Sequence, residues 1–367
     1  MDTRELIIKM LCASLKNKKI CFDKYIKDID LEYIIKFSGS HQITSLIYNA
    51  IDRNSLINID KKTLEDFKSI VIKSNMSQIY LAGRFNNILS DLNKLNKEVI
   101  TLKGMVIRNY YPRPELRTMG DLDILIHKND YFYVKEYLLK SGFSIKNENH
   151  PVHTEFIDKY GVSVEVHWKL INNETYVCDT SNFEKNLWLG IEKFTANNMN
   201  INILGKEDFL LHLCIHMAKH LRGTGFGLRQ VYDIAAFLLK EQDNIDWIKF
   251  ENNAKESGSF RFCIVLFRLI NNLFDLNLYN NIIKENLNVD SDIEMLMDEI
   301  LSYDYLKNSE RKIYLNKKTL NDDKLLSYKK IQNQYTIIKR NVSYVFKDNM
   351  TKEIINRRKI LLKKFEL

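Results

Sequence analysis

Hydrophobic residues recur at helical spacing through the first quarter of the chain. The pattern predicts helices over residues 4–15 and 31–50 and one or two longer helices over residues 63–94. In the longest stretch, the apolar positions that we assign to the core include Ile70, Met76, Ile79 and Tyr80. The chain therefore opens with a helical region.

The pattern then changes to short apolar runs and strict alternation, which are typical of strands. Residues 98–102 and 121–127 predict buried strands, and residues 143–146 and 201–204 predict weaker ones. Residues 162–168 alternate cleanly, because four apolar side chains occupy one face and Ser163, Glu165 and His167 occupy the other. We interpret the segment that holds His150, His153 and Glu155 as a connection between strands.

Helical spacing returns from Lys206 and continues to the end of the chain. It predicts helices that begin at residue 206, followed by others over 246–257, 260–275, 281–286 and 293–304, and a basic helical tail over 324–364. We expect an α+β fold in which a small mixed sheet with flanking helices lies between two helical regions. The predicted boundaries are 1–96, 97–204 for the sheet-containing core, and 205–367.

The strongest candidate chemistry lies at the start of the second strand. Side chains alternate along a strand, so Asp121 and Asp123 point to the same face. Crowded carboxylates repel each other unless a cation lies between them, and hard oxygen ligands suit Mg²⁺. Glu165, on the polar face of the 162–168 strand, offers a third carboxylate. Such a trio can hold two metal ions about 3.5–4 Å apart for in-line phosphoryl transfer.

A second candidate feature is the turn that follows the first strand. Gly104 allows close approach of the backbone, and a short helix predicted behind it presents free N–H groups to a phosphate. Lys103 and Arg108 add positive charge. In the loop that follows, we prefer Arg117 to Arg113 as a phosphate ligand, because Arg117 precedes the Asp pair closely.

These segments together resemble a known family. The residues that carry the resemblance are Thr101-Leu102-Lys103-Gly104, Arg117-Thr118-Met119-Gly120-Asp121-Leu122-Asp123, Val164-Glu165-Val166-His167-Trp168, Leu211-His212-Leu213-Cys214-Ile215-His216 and Leu228–Ala235. They are similar to the uncharacterised bacterial nucleotidyltransferases of the DNA polymerase β-like superfamily. The resemblance covers roughly residues 35–250 and implies a polymerase β-like core with a magnesium-dependent site. Lys103-Gly104 stands where this superfamily usually has Gly-Ser or Gly-Gly, so Lys103 could supply a cation where a hydroxyl is usual.

The resemblance adds further candidates for substrate binding. His153 resembles a histidine that precedes the third strand in the family, and Gly120 and His167 lie inside the matching motifs. In the helix from Lys206, His212, His216 and His220 recur every four residues and form a row. The row could line the nucleotide pocket together with Lys219, stabilise the helix interface, or bind zinc. We favour His216 and Lys219 as substrate contacts.

Composition limits the class of protein. The 367 residues include 45% hydrophobic residues, 28% charged residues and 3 prolines, which is typical of a globular, helix-rich protein. Five scattered cysteines without a Cys-x-x-Cys pair favour a reducing compartment, and no segment resembles a signal peptide or membrane span. We therefore expect a cytoplasmic protein without a membrane partner.

The net charge of +8 is concentrated at the C-terminus. Residues 306–367 contain 17 Lys and Arg against 6 Asp and Glu, an excess of 11, so the rest of the chain carries −3. A basic tail can bind nucleic acid, but basic surface helices are common without it. An apolar stripe along the tail favours packing on the core and an acceptor other than nucleic acid.

The leading hypothesis is a nucleotidyltransferase that depends on Mg²⁺, with two ions and with Mn²⁺ as an alternative. It would transfer a nucleoside monophosphate from an NTP to a hydroxyl or similar group and release pyrophosphate. The acceptor could be a small molecule, a peptide, a protein or tRNA. The alternatives are an inactive nucleotide- or RNA-binding module, a toxin-type enzyme that modifies tRNA, and a structural scaffold.

Overall fold

The computed structural model describes most of the chain. The described residues are 3–22, 25, 30–56, 59–148, 150–171, 181–196, 199–222, 225–278, 288–302 and 349–365. The predicted helix over 281–286 and the tail residues 303–348 lie outside this set.

Four helices form the N-terminal region: α1 (Thr3–Leu15), α2 (Leu31–Ser40), α3 (Thr44–Ala50) and α4 (Lys61–Lys94). The helix predicted over 31–50 is therefore two helices, separated at Gln42, which has a positive φ of 58°. α4 is one continuous helix of 34 residues, and the side chain of Asp60 caps it by accepting a hydrogen bond from the Thr63 backbone N–H.

The predicted core face of α4 is wrong at four positions. Their side chains are 42–65% exposed, and they are Ile70, Met76, Ile79 and Tyr80. The buried face instead contains Phe67, Val71, Gln78, Ala82 and Phe85. Gln78 is polar, so the helical stripe of hydrophobic residues is interrupted at the position where α4 contacts the sheet region.

Seven strands form one mixed sheet among the described residues. They are β1 (Val99–Thr101), β2 (Asp121–Ile126), β3 (Phe143–Asn147), β4 (His153–Asp158), β5 (Ser163–His167), β6 (Glu192–Ala196) and β7 (Met199–Ile203). Their order across the sheet is β3-β4-β5-β2-β1-β7-β6. The predicted α+β class and mixed sheet are confirmed.

β2 lies at the centre of the sheet, between β1 and β5. It pairs antiparallel with β1 and parallel with β5, and the second pairing places Asp123 beside Glu165. Leu122 and Ile124 alternate with the carboxylates and are fully buried. The alternation of β2 therefore anchors one side of the strand in the core and presents its carboxylates on the other.

Two strands were not predicted. β4 contains His153, so the segment interpreted as a connection is a strand that pairs with β5 on one side and β3 on the other. β6 pairs antiparallel with β7 at the sheet edge. All seven strands lie within the predicted core of residues 97–204, but the domain boundaries themselves stay a prediction.

Helices surround the sheet and form the C-terminal region. They are α5 (Lys103–Ile107), α6 (Tyr131–Lys140), α7 (Ser181–Asn186), α8 (Lys206–Arg222), α9 (Leu228–Glu241), α10 (Trp247–Glu256), α11 (Phe260–Phe274), α12 (Asp290–Leu301) and α13 (Asn349–Lys364). A continuous hydrophobic cluster extends from α1 through the sheet to Phe365. Within the described part of the chain, none of these helices is long and apolar enough to cross a bilayer.

Candidate active site

Three carboxylates meet where β2 and β5 begin to run side by side. Asp121 and Asp123 lie on one face of β2, and Glu165 on β5 is the direct neighbour of Asp123. One oxygen from each of the three groups lies within 4.8 Å of the others. The structure thus brings together the trio that the sequence predicts.

Backbone contacts fix the position of this strand. The Leu102 N–H donates to the Asp123 carbonyl at 3.0 Å, which holds the turn after β1 against β2. The side-chain amide of Gln78 accepts from the Met119 N–H at 2.7 Å and donates to the Met119 carbonyl at 3.2 Å. The buried polar residue of α4 therefore positions the chain two residues before Asp121.

The two Asp carboxylates have opposite electrostatic environments. Burial, followed by the negative charge of Asp123, raises the pKa of Asp121 to about 6. Burial would also raise the pKa of Asp123, but the charge of Lys103 and a hydrogen bond from His167 outweigh it and hold that pKa well below its usual value. Of the pair, Asp121 therefore binds a proton more readily than an ordinary Asp, and Asp123 stays ionised.

Lys103 is the nearest cation to this site. Its Nζ lies 2.8 Å from Asp123 Oδ1, and its backbone has a positive φ of 38° that favours glycine. Burial alone would lower the pKa of Lys103, but the charges of Asp123 and Glu165 outweigh it and raise that pKa. The ammonium group thus directly neutralises one of the metal-ligand candidates.

His167 contacts two of the three carboxylates. Its Nε2 lies 3.1 Å from Asp123 Oδ1 and 3.2 Å from Glu165 Oε2. Burial opposes the charged imidazole, but these two hydrogen-bonded carboxylates outweigh burial and raise the pKa of His167. In this structure, His167 contacts the carboxylates and therefore lies in the candidate metal site.

Arg117 is paired with a carboxylate of the C-terminal region. Its guanidinium is buried and forms a bidentate ion pair with Asp233 on α9, with Nε–Oδ1 2.8 Å and Nη2–Oδ2 2.9 Å. The Tyr111 hydroxyl donates to the same carboxylate at 2.6 Å, and Arg229 lies 3.6 Å from it. The guanidinium fork is therefore already occupied in this structure, and the phosphate role of Arg117 stays a prediction.

The remaining residues of the turn are also structural in this arrangement. A Cβ on Gly104 would lie 2.9 Å from Arg117 Nη1, so packing alone requires glycine there. Arg108 is 3% exposed, and within the described part of the chain its guanidinium reaches the Gln78 carbonyl at 3.5 Å, so it is buried in this structure and its substrate role stays a prediction. Gly120 has nothing within 4 Å of such a Cβ, so no steric requirement for glycine is visible at that position.

A group of histidines lies next to the carboxylates. His153 on β4 is the direct cross-strand partner of His167, and their ring centroids are 4.8 Å apart. The His150 ring stacks on His153 at 3.7 Å. Burial, together with the charge of His167, lowers the pKa of His153 to about 3, and burial with the charge of Lys219 lowers the pKa of His150 to about 4.

The histidine row of α8 faces the same site. Burial and the charge of Lys103 lower the pKa of His212 to about 3 and that of His220 to about 4, and they lower the pKa of His216 well below its usual value. The Nε2 atoms of His216 and His220 share a hydrogen bond of 2.9 Å. Burial around its amine and the charge of Lys103 lower the pKa of Lys219. The row is thus neutral and close to Lys103.

Sequence reasoning missed several residues that shape the site. Gln78 and Tyr111 looked like ordinary members of helical and loop segments, and the Arg117–Asp233 pair joins residues that are 116 positions apart. His150 was noted only as part of a connection. The polar residue within the apolar stripe of α4 was the one available signal, since buried polar groups generally have hydrogen-bond partners.

The fold and the carboxylate trio are those expected of the general class of nucleotidyltransferases. Comparison of the chain with models of protein families then identifies the family. The model of a family described as uncharacterised nucleotidyltransferase matches residues 27–275 of this chain, which is more than half of it. The chain belongs to this family, as the resemblance predicted, and it is an enzyme of the transferase class.

Comparisons with individual proteins add little to this assignment. The crystal structure of the lincosamide antibiotic adenylyltransferase LnuA, lincomycin-bound, matches at 16% identity and TM-score 0.31, covering 42% of this chain and 93% of that one. An antigenic nucleotidyltransferase-like protein from Paracoccidioides brasiliensis matches at 17% identity and TM-score 0.30, covering 43% and 75%. Comparison with curated protein sequences gave no match. These distant similarities carry no argument about the substrate.

Proposed function

We propose that this protein transfers a nucleoside monophosphate from an NTP to a hydroxyl or similar acceptor group and releases pyrophosphate in a reaction that depends on Mg²⁺. The observation that supports this best is the convergence of Asp121, Asp123 and Glu165 within 4.8 Å on neighbouring parallel strands. Three carboxylate oxygens form a hard donor set, which suits Mg²⁺ or Mn²⁺. When bound there, two such ions would neutralise and orient the phosphates.

The side chains of the chain would then act in defined ways. Glu165 lies at the half-buried edge of the trio and is suited to accept the proton of the acceptor hydroxyl. The new bond forms between the acceptor oxygen and the α-phosphorus, while the bond between the α-phosphorus and the bridging oxygen breaks. Pyrophosphate leaves with that electron pair. Catalysis at such a site relies on positioning and charge neutralisation.

Cations on the adjacent elements would bind the triphosphate. Lys103 carries its ammonium group at 2.8 Å from Asp123, so a rotation of its side chain would bring it to a phosphate near the same carboxylate. Lys219 extends from α8 and lies close enough to feel the charges of Lys103, Glu165 and Asp123. We assign Lys103, Lys219 and His216 to the nucleotide pocket, and leave Arg108 and Arg117 out of it.

An acceptor other than nucleic acid fits the described part of the tail better. Arg358 forms a buried ion pair with Glu299, Arg357 donates to Ser302 at 2.9 Å, and Lys364 pairs with Asp292. These three cations therefore pack α13 onto α12 and are not free to bind phosphates. Removing residues 357–364 would therefore disrupt this packing and would not be a clean test of RNA binding.

Transfer of a labelled nucleotide tests the proposal without knowledge of the acceptor. The full chain is incubated with each labelled NTP, Mg²⁺ and a cell lysate, and the labelled product is then identified. Asp121→Asn and Asp123→Asn should abolish labelling, while Asp66→Asn, an exposed Asp on α4, should leave it unchanged. Labelling by the Asp121→Asn/Asp123→Asn double variant at the wild-type rate would refute the assignment.

A further inference from the structure

We propose that His153, Glu165 and His167 form a second metal site that selects a transition-metal ion such as Zn²⁺, Mn²⁺ or Co²⁺. The site would share Glu165 with the carboxylate trio but would differ from it in its donor atoms. It is independent of the identity of the transferred nucleotide, and it is connected to the proposed function only through that shared carboxylate.

The sheet register places the three groups on one face. His153 and His167 are direct partners across the antiparallel pair β4–β5, and Glu165 lies two residues before His167, so its side chain points to the same side. One candidate ligand atom from each residue lies within 4.8 Å of the others. His167 Nε2 and Glu165 Oε2 are already 3.2 Å apart.

These spacings allow the three groups to bind one and the same metal ion. With metal–nitrogen and metal–oxygen bonds of about 2.0–2.2 Å, two ligand atoms on one ion lie roughly 3–4 Å apart. The His167–Glu165 spacing already falls in that range, and small side-chain rotations of His153 would bring it within reach. The set leaves further coordination positions for water or substrate, as in catalytic sites with three protein ligands.

An unsatisfied atom of His153 provides a second, independent observation. Its Nδ1 is buried and has no hydrogen-bond partner among the described residues. A buried polar atom without a partner costs about 1–3 kcal/mol, so such atoms in proteins usually have a partner that the chain itself does not supply. A metal ion bound through Nδ1 would give this nitrogen a partner.

The donor set decides which ion is selected. Mg²⁺ prefers oxygen ligands and keeps most of its water, whereas imidazole nitrogen suits Zn²⁺, Co²⁺ and, less strongly, Mn²⁺. The Asp121/Asp123/Glu165 trio offers only oxygen, while the His153/Glu165/His167 group offers two nitrogens and one oxygen. Two adjacent sites of different hardness, bridged by one carboxylate, would therefore bind two different ions.

Co²⁺ is the appropriate probe, because its visible absorption reports nitrogen and oxygen ligands directly. The full chain is stripped with a chelator and titrated with CoCl₂, and affinity is also measured by calorimetry. We expect one Co²⁺ with intense visible bands, and at least about tenfold weaker binding in His153→Ala and in the more conservative His153→Gln. His127→Ala is the matched control: this histidine also pairs with a carboxylate, Glu98 at 3.0 Å, but it follows the opposite end of β2.

The outcomes separate this site from the transferase proposal. Asp121→Asn should abolish nucleotidyl transfer and leave the Co²⁺ spectrum intact, whereas His153→Gln should remove the spectrum. Thermal melting of each variant verifies that it is folded. Absence of Co²⁺ bands in the wild type, or bands that depend on Asp121 and not on His153, would overturn the second site without affecting the first. Transfer that survives Asp121→Asn would refute only the proposed function.

Discussion

The buried carboxylate of Asp233 allows a quantitative test of how the C-terminal helices hold the active site. It accepts two hydrogen bonds from Arg117 and one from Tyr111, and both members of the ion pair have side chains only 6% exposed. Asp233→Asn keeps the shape but removes the charge, which leaves a buried guanidinium uncompensated. The expected loss of unfolding free energy is about 3–5 kcal/mol.

This loss converts into a measurable shift of the melting temperature. At about 2.1 cal/mol/K per residue, unfolding of 367 residues has an entropy near 0.8 kcal/mol/K, so the shift is about 4–6 °C if the chain unfolds as one unit. Differential scanning calorimetry and urea titration measure it. Glu136→Gln is the control, because its exposed pair with Lys140 is worth only about 0.3–0.5 kcal/mol.

The same network predicts an effect on function. Arg117 Nη1 packs against Gly104, so a released guanidinium should also disturb the turn that carries Lys103. We expect the NTP concentration required for half-maximal transfer to rise in Asp233→Asn. At roughly 0.8 kcal/mol/K, a melting temperature within 1 °C of the wild type corresponds to a stability loss below about 0.8 kcal/mol. That result would show that the pair does not link α9 to the active site.

Three further predictions concern the turn, the carboxylates and the C-terminal helix. Gly104→Val should lower the free energy of unfolding by about 1–3 kcal/mol through overpacking, and it should also weaken NTP binding. Lys103→Ala should raise the KM for NTP more than it lowers kcat. If both variants change only stability, and to the same extent, the turn has no role in binding the nucleotide. The pKa of Asp121 is about 6 in the folded protein and 3.8 ordinarily, so the folded state holds its proton more tightly. The free energy of unfolding of the metal-free protein should therefore fall by up to about 3 kcal/mol as the pH rises from about 4 to above 6. Thermal melts of Asp121→Asn should lack that part of the pH dependence. Glu299→Gln should destabilise the protein by about 3–5 kcal/mol, since it removes the negative charge that faces the buried guanidinium of Arg358. An unchanged urea midpoint would contradict this.

The sequence predicts the parts of the fold in which one face is apolar. β2 and β5 alternate or run apolar for five or six residues, so periodicity alone locates them and the carboxylates on them. β4 has the same alternation of burial, but its buried side chains are Thr154, Phe156 and Asp158. Two of the three are polar, so the hydrophobic pattern of that strand is hidden. β6 is an edge strand with mainly exposed side chains, and it leaves an equally weak signal.

Several contacts that the sequence does not predict join residues that are distant in sequence. Arg117 has the right charge and position for a phosphate ligand, and only the structure shows that Asp233, on a helix of the C-terminal region, already binds it. Met76 and Tyr80 follow the helical period but are exposed, whereas Gln78 is buried and its amide forms hydrogen bonds with Met119. Local periodicity cannot predict such pairs, because they are decided by tertiary packing.

The charges around the carboxylate trio indicate a role for the lysine at the turn after β1. Asp121, Asp123 and Glu165 lie close together, and the ammonium group of Lys103 lies 2.8 Å from Asp123. Under the proposed function, divalent ions bound to the trio would compete with Lys103 for the Asp123 carboxylate. The released ammonium group would then be available to the triphosphate. A lysine at this turn would thus stabilise the crowded carboxylates without metal and bind phosphate once the metal is present, which a neutral hydroxyl could not do.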